Sequence, residues 1–205
     1  NGAAALLPTQ ATYNNIAFSG SGIKNLANTD LLINGNLDIQ AGAMVNASNK
    51  NVNLKGNFNN TPGISGFQQG TGVLSLSGAA QSISGATQFY RLTVNGAGVK
   101  TLNTSVDVSN QLTLTTGVIS TGLNQLNILV NGSVSGGSAA SYVAGNLRKY
   151  IASGTISKSF EVGDNSKYAP VTVSFTGTTN NLGSILASTS TGDHPDMGTS
   201  TLDGN

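Results

Sequence analysis

The phrase IAFSGSGIKNL at residues 16–26 returns as LTVNGAGVKTL at residues 92–102. Apart from Ala17, every large apolar residue, glycine and lysine keeps its place between the two copies. Repeated units of this kind usually stack into elongated scaffolds rather than enclose a pocket. Alternating apolar residues on both sides of a glycine-containing turn predict a strand-turn-strand unit. We therefore expect a repetitive structural or adhesive protein.

The similarity between the two copies continues downstream, with small changes of offset. GNLDIQAG at residues 35–42 aligns with NQLTLTTG at 110–117, and NVNL at 51–54 aligns with QLNI at 125–128. The offset falls by one residue at each step, as expected when short deletions occur in turns between matching strands. We define two related blocks, residues 13–58 and 90–133.

The composition favours an all-β protein. Only 8% of the residues are charged and 5% are aromatic, Cys and Trp are absent, and Asn, Ser, Thr and Gly make up about half of the chain. These four residue types favour turns and strand surfaces and are poor helix formers. We expect short strands and no long helix. The net charge of +1 argues against nucleic acid as a partner, and no apolar stretch is long enough for membrane insertion.

The spacing of the strands favours a parallel β-solenoid. Equivalent strands lie about 20 residues apart, as the pairs Ile16/Leu37 and Leu92/Leu112 show. In a solenoid the inward apolar residues of each turn stack on those of the next, and outward Asn and Thr form polar ladders. A Greek-key sandwich is the alternative, because it also has short strands and frequent turns.

The composition changes near residues 136–141. More than half of the charged residues and three of the five Tyr follow this point, and the strands look longer. The sequence thus predicts an extended segment at residues 1–12, a β-solenoid at 13–140 that contains the two blocks, and a small β-sandwich-like unit at 141–205.

Several motifs occur in a distinctive order. They are GVLSLSG at 72–78, QSISG at 81–85, FYRLTV at 89–94, LTLTTGVI at 112–119, GNLR at 145–148, FEVGD at 160–164 and YAPV at 168–171. This order resembles the secreted cell-surface β-repeat proteins of the Bacteroidota, which are exported by type IX secretion and described as adhesin-like or gliding-associated. The resemblance covers most of the chain from Tyr13 onward. The chain departs from the usual family pattern at Glu161, where Pro is common, and at Ala169, where Arg is common.

The resemblance implies an extracellular, cell-surface location and a role in a stalk, adhesin or filament. It implies no catalytic residues. In such relatives the phrase GDHP, here at residues 192–195, is typically followed by more β-structure. We therefore expect the unit at 141–205 to be incomplete.

The residues themselves predict no catalytic, cofactor-binding or metal site. His194, beside Asp193 and Asp196, is the single His, and without a second His or Cys it is better explained as an exposed loop residue. Asp164 with Asn165 could bind calcium, but an ordinary Asx turn explains this pair more simply.

An enzyme acting on polysaccharides is a minor hypothesis. Glycoside hydrolysis needs two carboxylates that face one groove, and the only Glu is Glu161. In the solenoid half, Asp30, Asp38 and Asp107 are available, and the alternation of Asp38 and Asp107 with apolar neighbours points them outward singly.

Glycan binding commonly uses aromatic side chains beside polar ones. The candidates are Tyr90, Tyr142, Tyr150 and Tyr168, and Tyr90 is expected to pack at the start of its strand. The repeated lysines, Lys24 and Lys100, have no recurring acidic neighbour. We interpret both as edge charges that discourage wrong strand pairing.

The prediction is a non-catalytic extracellular module that takes no cofactor and whose partners are other copies of itself or neighbouring domains of a larger surface protein. Apolar residues 3–7 precede the first repeat, so a subunit could lend this strand to its neighbour and polymerise. The alternative is a carbohydrate-binding or carbohydrate-active solenoid, with surface glycans as the partner.

Overall fold

A computed structural model of the chain describes residues 12–26, 29–151, 156–175 and 183–189. Within them the protein is all-β and forms a parallel β-solenoid of about seven turns, which confirms the predicted fold class. The expectation of no long helix also holds for the described residues, whose one helical element is a 3₁₀ turn at Gly63–Ser65. Each turn of the solenoid contributes a strand to each of three faces.

Face A begins at the first turn and runs to the seventh. It consists of β1 (Thr12–Tyr13), β4 (Leu31–Ile33), β7 (Val52–Leu54), β10 (Leu74–Leu76), the middle of β12 (Thr87–Leu102), the middle of β13 (Val106–Ser120) and β15 (Ser133–Gly136).

Face B follows face A in every turn. It consists of β2 (Ile16–Phe18), β5 (Leu37–Ile39), β8 (Phe58–Asn60), β11 (Gln81–Ser84), the ends of β12 and β13, β16 (Val143–Ala144) and β19 (Val162–Gly163).

Face C completes the turn and contains two separate stacks of strands. The first stack is β3 (Gly22–Asn25), β6 (Ala43–Asn46) and β9 (Phe67–Gln68). The second is the start of β12, the start of β13, β14 (Leu126–Ile128) and β17 (Leu147–Ile151). The rings of Phe67 and Phe89 are edge-on at 6.4 Å between centroids, so the core is continuous where the ladder of backbone hydrogen bonds is interrupted.

The core fills the space between the three faces. Inward residues alternate with outward ones along each strand and stack in columns from turn to turn, as Leu31, Val52, Leu74, Leu92 and Leu112 do on face A. The predicted registers are correct, because Ile16 pairs with Leu37 and Leu92 pairs with Leu112. Adjacent turns are therefore separated by about 4.8 Å, the spacing of neighbouring strands.

Asparagine ladders hold the corners of the early turns together, as predicted. The Oδ1 of Asn15 accepts the backbone N–H of Asn36, the Oδ1 of Asn36 accepts that of Asn57, and the Oδ1 of Asn57 accepts that of Ser82. Each bond satisfies a corner N–H that no strand pairing reaches. The predicted outward polar ladder therefore also links successive turns by hydrogen bonds.

The repeated phrase does not occupy the same faces in its two copies. In the first copy, Ile16–Phe18 lies on face B and Gly22–Asn25 on face C, whereas in the second copy residues 92–94 lie on face A and 98–102 on face B. The repeat offset is therefore not a whole number of solenoid turns. What is repeated is the strand-turn-strand unit and not a surface.

Parallel pairing continues beyond residue 140. Val143–Ala144 pairs with the end of β13, and Leu147–Ile151 pairs with β14, both in parallel. Antiparallel pairs then appear, β18 (Ile156–Phe160) with β20 (Val171–Phe175), and β21 (Gly183–Ala187) with β17. The division into a solenoid and a sandwich-like unit stays a prediction. In the described residues, the parallel pairing of the solenoid continues across the predicted boundary at residue 140.

Candidate functional site

A groove runs along the corner at which face C meets the next turn of face A. We call it the corner groove, and its outward side chains are Gln68, Gln88, Tyr90, Ser109, Asn131 and Tyr150. One part, from Gln68 to Ser109, encloses about 310 Å³, and the next part, from Ser109 to Tyr150, encloses about 420 Å³. Ser109 lines both parts, so they form one depression that follows the solenoid axis.

The groove starts where the ladder of face C is interrupted between β9 and β12. The buried side chain of Gln69 bridges this gap: its Oε1 accepts the backbone N–H of Tyr90 at 2.8 Å, and its Nε2 donates to the carbonyls of Arg91 and Gly72. A shift of strand register at Tyr90 widens the corner, because two residues, Ser109 and Asn110, face it in the next turn. The groove thus opens at the Gln69 bridge and at the bulge opposite Tyr90.

Two half-buried tyrosines mark the length of the groove. Tyr90 lies in the fourth turn and Tyr150 in the seventh, on the same corner. Three turn spacings separate them, about 14 Å at about 4.8 Å per turn. The guanidinium carbon of Arg91 lies 5.5 Å from the centroid of the Tyr90 ring, and the Arg91 Nε donates to Asn110, which holds this pair of side chains in place.

The corner groove is uncharged. Of the described residues that line its two parts, none carries an ionisable acid or base other than the tyrosine hydroxyls, and the remaining polar groups are amides and hydroxyls. Exposed Ile64 and Val130 add apolar surface. The groove therefore offers aromatic rings and planar amides in a neutral setting.

Beyond Tyr150 a third cleft, of about 240 Å³, reaches a buried ion pair. The Nζ of Lys149 lies 2.6 Å from the Oε2 of Glu161 and donates to the carbonyl of Ser159. Lys149 continues the inward column of Phe89, Val108 and Ile128, so the pair closes the core at its C-terminal end. Burial lowers the pKa of Lys149, and Glu161 opposes that shift.

The interpretation of Lys100 as an edge charge is wrong. Its side chain is fully buried in the inward column between Gln81 and Ile119. The ammonium nitrogen lies 2.7–3.1 Å from four backbone carbonyl oxygens, which share its three N–H donors and belong to two stacked turns: Gly78, Ala79, Gly96 and Ala97. Among the described residues no carboxylate forms an ion pair with Lys100, and burial lowers the pKa of its ammonium group.

Lys24, the counterpart of Lys100 in the repeat, shows the same local contact in a more open setting. Its Nζ donates to the carbonyl of Ser21 at 2.7 Å, three residues earlier, as that of Lys100 does to Ala97. Lys24 is only partly buried. The shared spacing from turn to lysine, Gly-x-Gly-x-Lys, is the sequence signal that could have revealed a turn-binding lysine.

The carboxylates of the solenoid point outward and are bound by asparagines one turn later. Asp38 accepts from the side-chain amide of Asn59, and Asp107 accepts from that of Asn127. Asp30 accepts hydrogen bonds from the backbone N–H and the side-chain amide of Asn51. The backbone bond and, to a smaller extent, the side-chain bond hold the pKa of Asp30 below its usual value. None of these carboxylates lines the corner groove.

The remaining candidates fall into three groups. Asp164 forms an Asx turn, as predicted, because its Oδ1 accepts the N–H groups of Ser166 and Lys167. The hydrogen bond from the Ser166 hydroxyl and then these two backbone bonds lower the pKa of Asp164. Tyr142 is buried, donates its hydroxyl to the Asp164 carbonyl and packs against Tyr168. His194, Asp193 and Asp196 lie outside the described residues, as do residues 3–7.

The described residues contain no group of three or more His, Cys, Asp or Glu residues placed to hold a metal ion. They also contain no helix that is long and apolar enough to cross a membrane.

Comparison with known proteins gives no relative for this chain. No protein-family model matches it, and neither a curated protein nor a solved structure does.

Proposed function

We propose that the chain is a non-catalytic structural and adhesive module of a bacterial cell surface, and that copies join end to end through the first turn of the solenoid. The observation that carries this proposal is the outer edge of that turn. Among the described residues, no strand pairs with the outer edges of β2 and β3.

The hydrogen bonds of β2 show which groups its edge presents. The N–H of Ile16 donates to the carbonyl of Asn36, and the carbonyl of Phe18 accepts from Gln40, both in the second turn. In a parallel strand the N–H and C=O of one residue point to the same neighbour, and successive residues alternate. The N–H and C=O of Ala17 therefore point away from the solenoid, and such an edge is a template for an added strand.

The opposite end of the solenoid is built differently. There β21 covers β17 in antiparallel pairing, and the carbonyl of Val162 in β19 accepts the N–H of Ala169. A contact between the edge of β2 in one copy and a different segment of the next copy is heterologous when it is not reciprocated, and such contacts generate open fibres or closed rings.

The surface chemistry supports a structural role. The outward carboxylates are bound by asparagine amides, and the repeated lysines bind turn carbonyls, so these charged groups brace the fold. The proposed extracellular location rests on the resemblance to Bacteroidota surface proteins. The carbohydrate-binding alternative rests on a different feature, the corner groove.

Electron microscopy of the purified chain tests the assembly proposal. We expect filaments from the full chain, and none after deletion of residues 1–10, if the apolar segment at residues 3–7 is the strand that pairs with the edge of a second copy. Filaments from the deleted chain would contradict strand donation by that segment. A full chain that stays monomeric at high concentration would contradict end-to-end joining altogether.

A further inference from the structure

The corner groove has the chemistry of a binding site for an uncharged, hydroxyl-rich chain. Its two half-buried tyrosines present ring surface, and Gln68, Gln88 and Asn131 are exposed amides that can donate to and accept from hydroxyl groups. Aromatic rings combined with such polar groups suit ligands that have both apolar and polar faces. Sugar rings are ligands of this kind.

The shape of the groove favours a polymer over a small molecule. Its two parts meet at Ser109 and open to solvent along their length, so a ligand is not enclosed as it is in a small-molecule pocket. Tyr90 and Tyr150 stand about 14 Å apart along the axis, because three turns at about 4.8 Å separate them. A single sugar ring cannot contact both tyrosines, whereas an extended oligosaccharide can.

The charges of the site narrow the ligand class further. The described lining of the two parts is free of Asp, Glu, Lys and Arg. The nearest cations have other positions: Arg91 lies against the Tyr90 ring and donates to Asn110, Lys149 is paired with Glu161, and Lys158 lines the adjoining cleft. An acidic polysaccharide would find no cation in the lining itself to replace its lost hydration. The lining therefore favours neutral chains.

We propose that the corner groove binds a neutral polysaccharide laid along the solenoid axis, stacked on Tyr90 and Tyr150 and hydrogen-bonded by the amides between and beside them. This inference gives the adhesive part of the proposed function its ligand class. It does not depend on assembly through the first turn, since the groove lies in the fourth to seventh turns.

A glycan array that carries neutral and acidic oligosaccharides of several lengths tests the inference, followed by titration calorimetry on the tightest neutral ligand. We expect neutral oligosaccharides to bind, and long ones to bind more tightly than mono- or disaccharides. Tyr90→Ala and Tyr150→Ala should each weaken binding about tenfold. Tyr90→Phe keeps the ring and should bind within a few-fold of the unchanged protein.

Controls separate loss of the site from loss of the fold. Leu123→Ala removes a fully exposed apolar side chain at a different corner and should leave binding unchanged. Ser109→Trp places a bulky side chain at the junction of the two parts and should abolish binding by filling the groove, while far-ultraviolet circular dichroism stays the same. The groove proposal is overturned if no neutral glycan binds, if acidic glycans bind as tightly, or if binding survives both alanine substitutions.

Glycan binding and assembly are separable by measurement. A chain that stays monomeric yet binds neutral oligosaccharides through Tyr90 and Tyr150 supports the groove and contradicts end-to-end joining. A chain that forms filaments but binds no neutral glycan supports joining and contradicts the groove.

Discussion

At the scale of single residues, Lys100 shows how a charge can serve a repeat protein from inside its core. Burying an ammonium group without a carboxylate costs free energy unless its N–H groups are hydrogen-bonded. Here four carbonyls from two successive turns surround it, so the lysine fastens one turn to the next at the corner of faces A and B. Sequence alone did not predict this, because lysine is among the residues least often fully buried.

Replacing Lys100 should therefore cost much more than replacing its repeat partner. Lys100→Met leaves buried carbonyls without a donor, and we expect the free energy of unfolding to fall by about 3 kcal/mol. Lys24→Met removes one partly exposed contact and should cost less than about 1 kcal/mol. Urea unfolding followed by circular dichroism measures both, since the chain has no Trp. Equal costs would show that Lys100 has no special role.

The carboxylate of Asp30 predicts a pH dependence whose sign follows from its bonds to Asn51. Because its pKa is lower in the folded than in the unfolded protein, Asp30 stabilises the fold above the unfolded pKa, about 4. That stabilisation is lost as the pH falls through the folded pKa. The stability difference between the native chain and Asp30→Asn should be largest near neutral pH and narrow in acid. A difference that stays constant from neutral pH into acid would contradict this assignment.

The ion pair at the end of the core should behave as a unit. Glu161→Gln leaves the Lys149 ammonium buried without its carboxylate, and we expect a loss of about 3 kcal/mol in the free energy of unfolding. The double variant Lys149→Met/Glu161→Leu removes both charges and should recover most of that loss. The variants Lys149→Met and Glu161→Leu, made singly, provide the reference. If the double variant loses as much stability as these two single variants together, the pairing contributes nothing.

At the scale of elements, the turns demand glycine for two separable reasons. Gly42 and Gly85 have nearly the same backbone φ, +83° and +85°. A Cβ on Gly42 would meet nothing within 4 Å, whereas a Cβ on Gly85 would overlap the carbonyl oxygen of Asn60 in the neighbouring turn. Of these two glycines, Gly85 is the one that lies where two turns approach closely.

This pair isolates backbone strain from turn-to-turn packing. Gly42→Ala should cost about 1 kcal/mol, from the left-handed backbone alone. Gly85→Ala adds the collision with Asn60 and should cost about 2 to 4 kcal/mol. Thermal or urea unfolding of both variants provides the comparison. If the two alanines cost the same, the close approach at Gly85 does not constrain the solenoid.

The elements also show how far sequence reasoning reaches. The strand period and the pairings of Ile16 with Leu37 and of Leu92 with Leu112 were predictable, because apolar alternation and spacing determine them directly. The faces on which the two repeated phrases lie could not be predicted. The lengths of all the turns between the two phrases together determine where around the solenoid axis the second phrase falls, and these lengths vary. The corner groove was also hidden, since it depends on the Gln69 bridge and on the bulge at Tyr90.

At the scale of the whole molecule, the two ends of the solenoid differ. The described C-terminal strands are covered in part by antiparallel pairing, while the outer edges of β2 and β3 have no strand paired with them among the described residues. Repeat proteins generally need capped ends to remain soluble. The outer edges of β2 and β3, which no described strand covers, are therefore the feature from which we infer end-to-end joining.

Sedimentation velocity of the full chain, with Ala17→Pro and Ala17→Ser beside it, tests this joining most directly. Proline removes the outward N–H of β2 without breaking a bond to the second turn, whereas serine keeps it. We predict that the native chain and Ala17→Ser form species that grow with concentration, while Ala17→Pro stays monomeric with an unchanged circular dichroism spectrum. Assembly of the proline variant to the same extent as the native chain would contradict joining through the first turn.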